Sequence, residues 1–352
     1  MKFSGLSLVI FAALHPMLAA ASTVAVGNCR PHLVSYHTIS DAVAAVPAGS
    51  TVLVCPGTYQ EQVTITNSLT LRGTSPIAIS PAVVTMPASP VIVDNVATQI
   101  FVLTQPDTAP PAVVNIENIV VDGSGLNNAV GISYTFASGQ LSQLELRNQS
   151  VGIEFGGDLF QVDTVNLLNS YVHNFSNTGV FAASNGATGF FLNMKKNLVQ
   201  SNITTVQSGV EYFFGADGVA SQNTILVNGG TGLWLVSFFP GMTAKGNIID
   251  GASIGILTGG TESTDTIVEN NILSNNATGI SVFEGPGGST VKSNTISQSS
   301  NTGINLNCSD NSIVENNVIY GTPVGVANVS TGDTISGNKF LNVAVDTTQC
   351  QQ

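Results

Sequence analysis

Short apolar segments alternate with polar turns along this chain, and the alternation repeats. In the second half, an Asn is followed two residues later by an aliphatic or aromatic residue, at separations of 24, 24, 23, 23 and 21 residues: Asn223, Asn247, Asn271, Asn294, Asn317 and Asn338. A repeat of roughly 20 to 50 residues is typical of a solenoid. We therefore predict that each repeat forms one short coil.

A second motif within the repeat is a Gly followed by an aliphatic residue, at Gly131, Gly152, Gly179, Gly209, Gly232, Gly255, Gly279, Gly303 and Gly325. Residues one and three after each Gly are mostly apolar, as at Ile132 and Tyr134. Because side chains alternate between the two faces of a strand, these positions are predicted to line the interior. The pattern indicates an all-β chain, a single-stranded right-handed parallel β-helix.

The recurring Asn is predicted to occupy a tight turn between strands. Asn tolerates left-handed backbone conformations, and its amide can bond to the same residue in the next coil. We expect a ladder of amides along the solenoid.

The N-terminal region has the features of a cap. His37 to Pro47 is predicted to form a short amphipathic helix that ends at Pro47, and the strand Thr51 to Val54 follows. The segment from Cys55 to Gly73 then resembles the opening coil of pectin methylesterases. Residues 76–111 are rich in Pro and Ala and are interpreted as irregular early coils. We predict one β-helix domain over residues 22–352, with residues 37–73 as cap and first coil.

Residues 1–21 have the pattern of a secretory signal peptide: Lys2, an apolar run from Leu6 to Leu18, and three alanines. No other stretch is long and apolar enough to predict a membrane span. Secretion to an oxidising compartment favours disulfides, and the grouping of the cysteines predicts two pairs: Cys29 with Cys55 and Cys308 with Cys350. Their spacing does not match a zinc site.

Composition restricts the classes of partner that the protein can bind. The chain is 43% hydrophobic and only 9% charged, and removal of Lys2 with the signal peptide leaves 9 − 1 = 8 basic against 21 acidic residues. A surface with this balance repels phosphate backbones, so we expect no nucleic-acid partner. We also expect the protein to be a monomer. An acidic polysaccharide would require a local basic patch or a bridging calcium ion.

The repeats resemble the pectate-lyase-like superfamily, which includes polysaccharide lyases, hydrolases, esterases and epimerases as well as adhesins without activity. The resemblance implies a polysaccharide partner at the groove lined by the Gly-led strands. The chain lacks the Gly-Asp-Asp, Gly-His-Gly and Arg-Ile-Lys motifs of polygalacturonases and the aspartate-bearing segment of pectin methylesterases. A pectate lyase site would need a groove arginine beside a calcium-binding cluster of aspartates, and the sequence around Arg147 and Arg72 shows no such cluster. The resemblance therefore supplies no catalytic residue.

Candidate chemistry lies on the outward row, two residues after each Gly. Glu154 and Glu211 are predicted to lie two coils apart, at a spacing that an inverting glycoside hydrolase can use for its acid and base. Phe181, Trp234 and Phe213 are predicted to bind sugar rings, with Phe283 extending their platform. The alternative is a non-catalytic, adhesin-like β-helix, favoured by the missing motifs.

Two further groups have weaker signals. Asp158 and Asp217 follow these strands and could bind calcium, although a turn-forming role is the commoner use of such residues. We expect no other cofactor. His173, beside Tyr171, is predicted to lie off the groove in a turn or packing role.

Overall fold

The computed structural model describes residues 20–350, except for 94, 105–110, 125, 158–161, 185–189, 238–240, 260–265 and 284–287. Residues 1–19 of the predicted signal peptide lie outside the described residues, as does Asp158.

The described chain forms three parallel β-sheets, which each coil visits in the order A, B, C. Within the described residues, sheet A has 14 strands: Thr23–Val26 (β1), Ser35–Tyr36 (β2), Ser50–Val54 (β3), Leu69–Gly73 (β6), Ala112–Glu117 (β9), Ala137–Ser142 (β12), Asp163–Leu168 (β15), Phe190–Lys195 (β18), Ala216–Ser221 (β21), Thr243–Lys245 (β24), Ile267–Glu269 (β27), Thr290–Lys292 (β30), Ile313–Glu315 (β33) and Thr334–Ser336 (β36). Sheet B has 12 described strands: Gly57–Gln60 (β4), Ala82–Thr85 (β7), Val120–Asp122 (β10), Glu145–Arg147 (β13), Tyr171–His173 (β16), Leu198–Ser201 (β19), Thr224–Val227 (β22), Ile248–Asp250 (β25), Ile272–Ser274 (β28), Thr295–Ser297 (β31), Val318–Tyr320 (β34) and Lys339–Leu341 (β37). Sheet C also has 12 described strands: Val63–Ile65 (β5), Ala97–Leu103 (β8), Ala129–Thr135 (β11), Val151–Gly157 (β14), Thr178–Ser184 (β17), Ser208–Phe214 (β20), Thr231–Ser237 (β23), Ile254–Thr258 (β26), Thr278–Val282 (β29), Thr302–Asn305 (β32), Val324–Val329 (β35) and Val345–Gln349 (β38).

The predicted right-handed parallel β-helix is confirmed, with about 12 turns. The predicted inward positions are its core: Ile132, Tyr134, Ile153 and Phe155 are fully buried, and the same positions of the later coils follow them. Burial of such continuous apolar rows is the main stabilising term, since a single coil cannot enclose a core.

The interpretation of residues 76–111 as irregular was wrong in part. The region contains regular strands of sheets B and C, β7 and β8, whose partners lie in register in the adjacent coils. Long connections between them, together with the absence of a leading Gly, hide the repeat in the sequence.

The Asn ladder is confirmed, and it lies in the turn between sheets A and B: Asn197, Asn223, Asn247, Asn271, Asn294, Asn317 and Asn338. The side-chain amide of Asn247 donates to Asn271 Oδ1 at 2.9 Å and to the carbonyl of Ala220, and the backbone amide of Asn247 donates to the same Oδ1 at 2.9 Å. These buried groups satisfy one another across successive coils.

The predicted left-handed backbone at the ladder residues is wrong by one position. Positive φ occurs at the residue before each ladder Asn, such as Lys196, Gln222 and Asn270. The ladder Asn contributes its side-chain amide to the hydrogen bonds between coils, while the residue before it adopts the left-handed conformation of the turn.

The Gly at the start of the sheet C strands is required by close approach between coils. A Cβ on Gly232 would lie 2.6 Å from the carbonyl oxygen of Gly255 and 2.5 Å from Cγ2 of the inward Ile249. The same contact with the next coil's carbonyl recurs at the other Gly of the row. This stack lets each strand bend onto sheet C without losing contact with its neighbour.

The predicted cap is confirmed as helix α1, Ile39–Ala45, whose N-cap Thr38 accepts a hydrogen bond from the amide of Asp41. The Glu61 carboxylate accepts from the amides of Ile39 and Ser40 at 2.8 Å each, a favourable placement of negative charge at a helix start.

Both predicted disulfides are present, Cys29–Cys55 and Cys308–Cys350, with Cα–Cα distances of 5.7 and 5.5 Å. They tie the chain near each terminus to the body of the solenoid. Among the described residues, no helix has the length and apolar character that a membrane crossing requires.

We expect Asn271→Ala to destabilise the protein by roughly 3 kcal/mol, because it leaves buried donors of Asn247 and the carbonyl of Ala244 without partners. Urea unfolding monitored by circular dichroism measures the change. The control is Asn301→Ala, whose side chain is exposed. Equal unfolding midpoints for the two variants would contradict a stabilising ladder.

We expect Gly232→Ala to destabilise by about 1 to 3 kcal/mol, since its methyl group would overlap a carbonyl and a core side chain. Gly332→Ala is the matched control, because its Cβ would meet its nearest atom at 3.4 Å. Thermal unfolding of both variants tests the requirement, and a Gly232→Ala protein as stable as the control would refute it.

Candidate functional site

The outward row of sheet C lies in register as predicted. Each member is the Cα partner of the next: Thr64, Phe101, Ser133, Glu154, Phe181, Glu211, Trp234, Leu257, Ser281, Asn305 and Ala327. Two members were missed from the sequence: Thr64 lies in the predicted first coil, and Phe101 lies in the region that was interpreted as irregular. Neither strand has a leading Gly, and their signals were the alternation of Val63 to Ile65 and of Ala97 to Leu103.

Glu154 lines a cleft of about 510 Å³ on this face. The cleft lining includes Phe101 and Thr64, which lie one and two coils further toward the N-terminal cap than Ser133. The Glu154 carboxylate is half-buried and makes neither a hydrogen bond nor an ion pair with any other described residue. Burial raises the pKa of Glu154 above the usual range of a glutamate.

One wall of the cleft comes from Val91, Val93 and Val96. The side chain of Gln62 holds this segment, since its Nε2 donates to the carbonyl of Val91 at 2.9 Å and its Oε1 accepts from the Val91 amide at 2.6 Å. An antiparallel bridge between Val93 and Val96 closes the tip. The side chains of Val91, Ile92 and Val93 are 59 to 70% exposed, so the wall presents an apolar edge.

Glu211 lies two coils from Glu154, about 10 Å between backbones, with Phe181 between them. It is 3% exposed and accepts hydrogen bonds from Ser208 Oγ at 2.8 Å and Gln207 Nε2 at 3.3 Å. Burial raises the pKa of Glu211, and the two hydrogen bonds offset part of the rise. The described lining of the Glu154 cleft does not include Glu211. The predicted pair therefore shares one row but has two different environments.

The aromatic residues predicted to bind sugar rings have different surroundings. The ring of Phe181 lies 6.5 Å from that of Phe213, and Phe213 packs edge-on against Phe214 at 4.2 Å. Trp234 lies beside Glu211 in the row, and its buried Nε1 makes no hydrogen bond in the described part of the chain. Phe283 follows β29 and is 51% exposed.

The segment after Phe181, residues 182–196, consists mostly of strand residues. Of residues 182–196, the first three end β17 and the last seven belong to β18 and the turn after it, and only 185–189 lie outside the described residues.

Asp217 is on sheet A, with 9% exposure and a hydrogen bond from the Gly218 amide. Burial raises the pKa of Asp217, and this hydrogen bond opposes the rise.

Arg147 and His173 belong to a polar network on sheet B. Arg147 bonds Asp122 Oδ2 and Glu145 Oε1, each at 2.8 Å, and His173 Nε2 lies 3.3 Å from the same Glu145 oxygen. The His173 ring stacks on Tyr171 at 4.0 Å. His173 thus lies off the groove and packs, as predicted, but on a strand and not in a turn.

Comparison with known proteins adds the family. Residues 174–351, just over half of the chain, match the family model described as periplasmic copper-binding protein (NosD). The chain belongs to the NosD family. A search of curated protein sequences finds no match to it.

Three solved structures share the fold of this NosD-family chain. The mannuronan C-5 epimerase AlgE4 A-module of Azotobacter vinelandii has a TM-score of 0.64 at 15% identity, covering 88% of this chain and 90% of its own. The AlgE6 A-module of the same organism has a TM-score of 0.60 at 18% identity, covering 88% and 89%. Tailspike protein 3 of bacteriophage CBA120 has a TM-score of 0.51 at 12% identity, covering 85% and 54%. At these identities the likeness establishes the fold alone.

The matched segment of this NosD-family chain does not supply the side chains that hold copper. Copper in proteins is held by His, Cys and Met side chains. The matched segment has no histidine, its Cys308 and Cys350 form a disulfide, and its Met194 and Met242 are fully buried in the core. The described residues also contain no group of three His, Cys, Asp or Glu that could hold a metal.

The sheet B network predicts a pH dependence of stability. Although burial opposes it, hydrogen bonds from Ser124, Asn148 and Arg147 lower the pKa of Asp122 to about 2. Because this pKa lies below that of an unfolded aspartate, the stabilisation is complete above about pH 4 and is lost as the pH falls toward 2. We expect Asp122→Asn to cost up to about 2 kcal/mol at pH 6 and little at pH 2.

Urea unfolding of wild type and Asp122→Asn across this pH range measures the effect, with the exposed Asp346→Asn as control. A difference between wild type and Asp122→Asn that stays constant with pH would rule out the ionised carboxylate as its source.

Proposed function

We propose that this protein is a secreted β-helix that binds a polysaccharide along the outward row of sheet C, from Phe101 to Trp234. The observation that carries the proposal is a row of aromatic rings and carboxyl groups in register: Glu154, Phe181, Glu211 and Trp234 alternate across four successive coils, and Phe101 lies two coils before Glu154, with Ser133 between them. Aromatic rings offer flat apolar surfaces to the faces of sugar rings, and carboxylates accept hydrogen bonds from hydroxyls.

The dimensions of the row suit a chain-like ligand. Phe101 and Trp234 are separated by five strand spacings, about 24 Å along the solenoid. The Glu154 cleft at the N-terminal end of the row gives one place where a ligand can be enclosed, and its apolar wall at Val91 to Val93 can cover a sugar face.

Three observations support secretion. The family is described as periplasmic, the chain carries two disulfides, and its first 21 residues have the signal-peptide pattern. Disulfides persist in oxidising compartments, where extracellular polysaccharides are also encountered.

Glycoside hydrolysis is the second candidate, favoured by two carboxyl groups two coils apart on the row, of which Glu154 has a pKa raised by burial, as suits a general acid. In this mechanism Glu154, which lacks hydrogen bonds that would hold its charged form, donates the proton to the leaving oxygen. Glu211 activates water from the other side of the bond. The inclination of the side chains has to shorten the backbone separation to about 6.5 to 9.5 Å between carboxyls. Without turnover, the protein is the adhesin-like binder that the missing enzyme motifs favour.

We expect Trp234→Ala to weaken polysaccharide binding by about tenfold or more, through loss of a stacking surface. A glycan array followed by calorimetry on the strongest hit measures this. Tyr320→Ala removes a 39% exposed aromatic on sheet B and is the matched control. Equal losses in the two variants, or no glycan bound by the wild type, would refute the proposed site.

If the protein hydrolyses the bound glycan, we expect Glu154→Gln and Glu211→Gln each to lower the turnover rate by about 100-fold or more while binding persists. Reducing-end release from the array hit measures the rate, and Glu315→Gln on sheet A is the control. Unchanged turnover in the Glu154 or Glu211 variants would exclude the acid and base roles.

A further inference from the structure

The charges of this solenoid are divided between its faces. The strands of sheet C carry three acidic residues, Glu154, Glu211 and Asp346, and no lysine, arginine or histidine. The sequence segments that connect these strands to sheets A and B also lack basic residues from residue 74 onward. All later basic residues lie on strands of sheets A and B or in the turn between them: Arg147, His173, Lys195, Lys196, Lys245, Lys292 and Lys339.

Some of these cations are paired with carboxylates on their own sheet. Lys245 Nζ lies 2.6 Å from Glu269 Oε1, and Lys292 Nζ lies 3.5 Å from Glu269 Oε2, along one outward row of sheet A. Arg147 is paired with two carboxylates on sheet B. Paired charges have short-range fields, so they do not offset the negative potential over sheet C.

The cleft on sheet C holds a carboxylate that has no partner among the residues that the structure describes. Glu154 is half-buried beside Phe101, with neither a cation nor a hydrogen-bond donor from the described residues. A partly desolvated carboxylate without a partner is unfavourable, and a ligand that supplies a positive charge removes this cost. The neighbouring rings of Phe101 and Phe181 add cation–π attraction for the same charge.

We propose that the ligand of sheet C is a cationic polysaccharide, a polymer of amino sugars with free ammonium groups, and that uronic polymers are excluded. The inference rests on the proposed function, since it names the class of glycan for the same row. An ammonium group of the ligand would pair with Glu154 in the cleft, while the sugar faces pack on the aromatic rings.

The test compares oligosaccharides that share a backbone and differ in charge. Hexamers of β-1,4-linked glucosamine and of its N-acetylated form, with a mannuronic acid hexamer, are titrated calorimetrically into the full protein at a pH at which the amines are charged. We expect the glucosamine hexamer to bind about tenfold or more tightly than the neutral form, and the uronic hexamer not to bind. Added salt reduces the advantage of the cationic hexamer.

Glu154→Gln is expected to abolish most of that advantage, so that the glucosamine hexamer and its N-acetylated form bind the variant about equally, whereas Glu315→Gln preserves the advantage. The salt dependence of the wild type tests the same point without a variant. Binding of the neutral or uronic hexamer as tightly as the cationic one, or an equal effect of Glu154→Gln on all, overturns the inference and leaves the proposed function standing. If a broad glycan array yields no binding at all, the proposed function itself fails.

Discussion

The stacking of one coil on the next depends on buried hydrogen bonds that can form in only one register. The Asn ladder is the clearest case, because each Asn Oδ1 accepts from both the side-chain and backbone amides of the preceding coil. A shift of one residue would leave these buried donors without acceptors and would also turn the apolar row outward. The ladder and the core therefore enforce the same alignment.

Strict register is what makes a surface row functional. Glu154, Phe181, Glu211 and Trp234 are each in different repeats, yet they form one line because the coils beneath them are aligned. The Gly stack maintains the close approach of the coils at the edge of the same sheet. Side chains on this face thus vary in chemistry while their spacing is held constant, which suits recognition of a repetitive ligand.

Two glutamates of the same row differ in burial and in hydrogen bonding because their local surroundings differ. Glu211 is covered and receives hydrogen bonds from Ser208 and Gln207, whereas Glu154 faces a cleft without a partner. The division arises from residues outside the repeat, since Gln62 and the segment it holds build the cleft wall. Basic residues are placed on the other two sheets, several of them paired there, so sheet C remains acidic.

A family described as copper-binding here contains a chain whose matched half lacks the ligands for that metal.

The periodicity of the sequence was sufficient to determine the fold, the inward rows, the Asn ladder, the capping helix and the disulfide pairs, because each depends on spacing along the chain. It also placed Glu154, Glu211, Phe181 and Trp234 on one outward row. It could not reveal the coil hidden in residues 76–111, because long connections there obscure the period. Nor could it show that Gln62 would hold a cleft wall from a distant loop, that Glu211 would be buried, or that Phe213 would pack against Phe181 and Phe214. Those outcomes depend on contacts between residues far apart in sequence, and only the tertiary structure decides them.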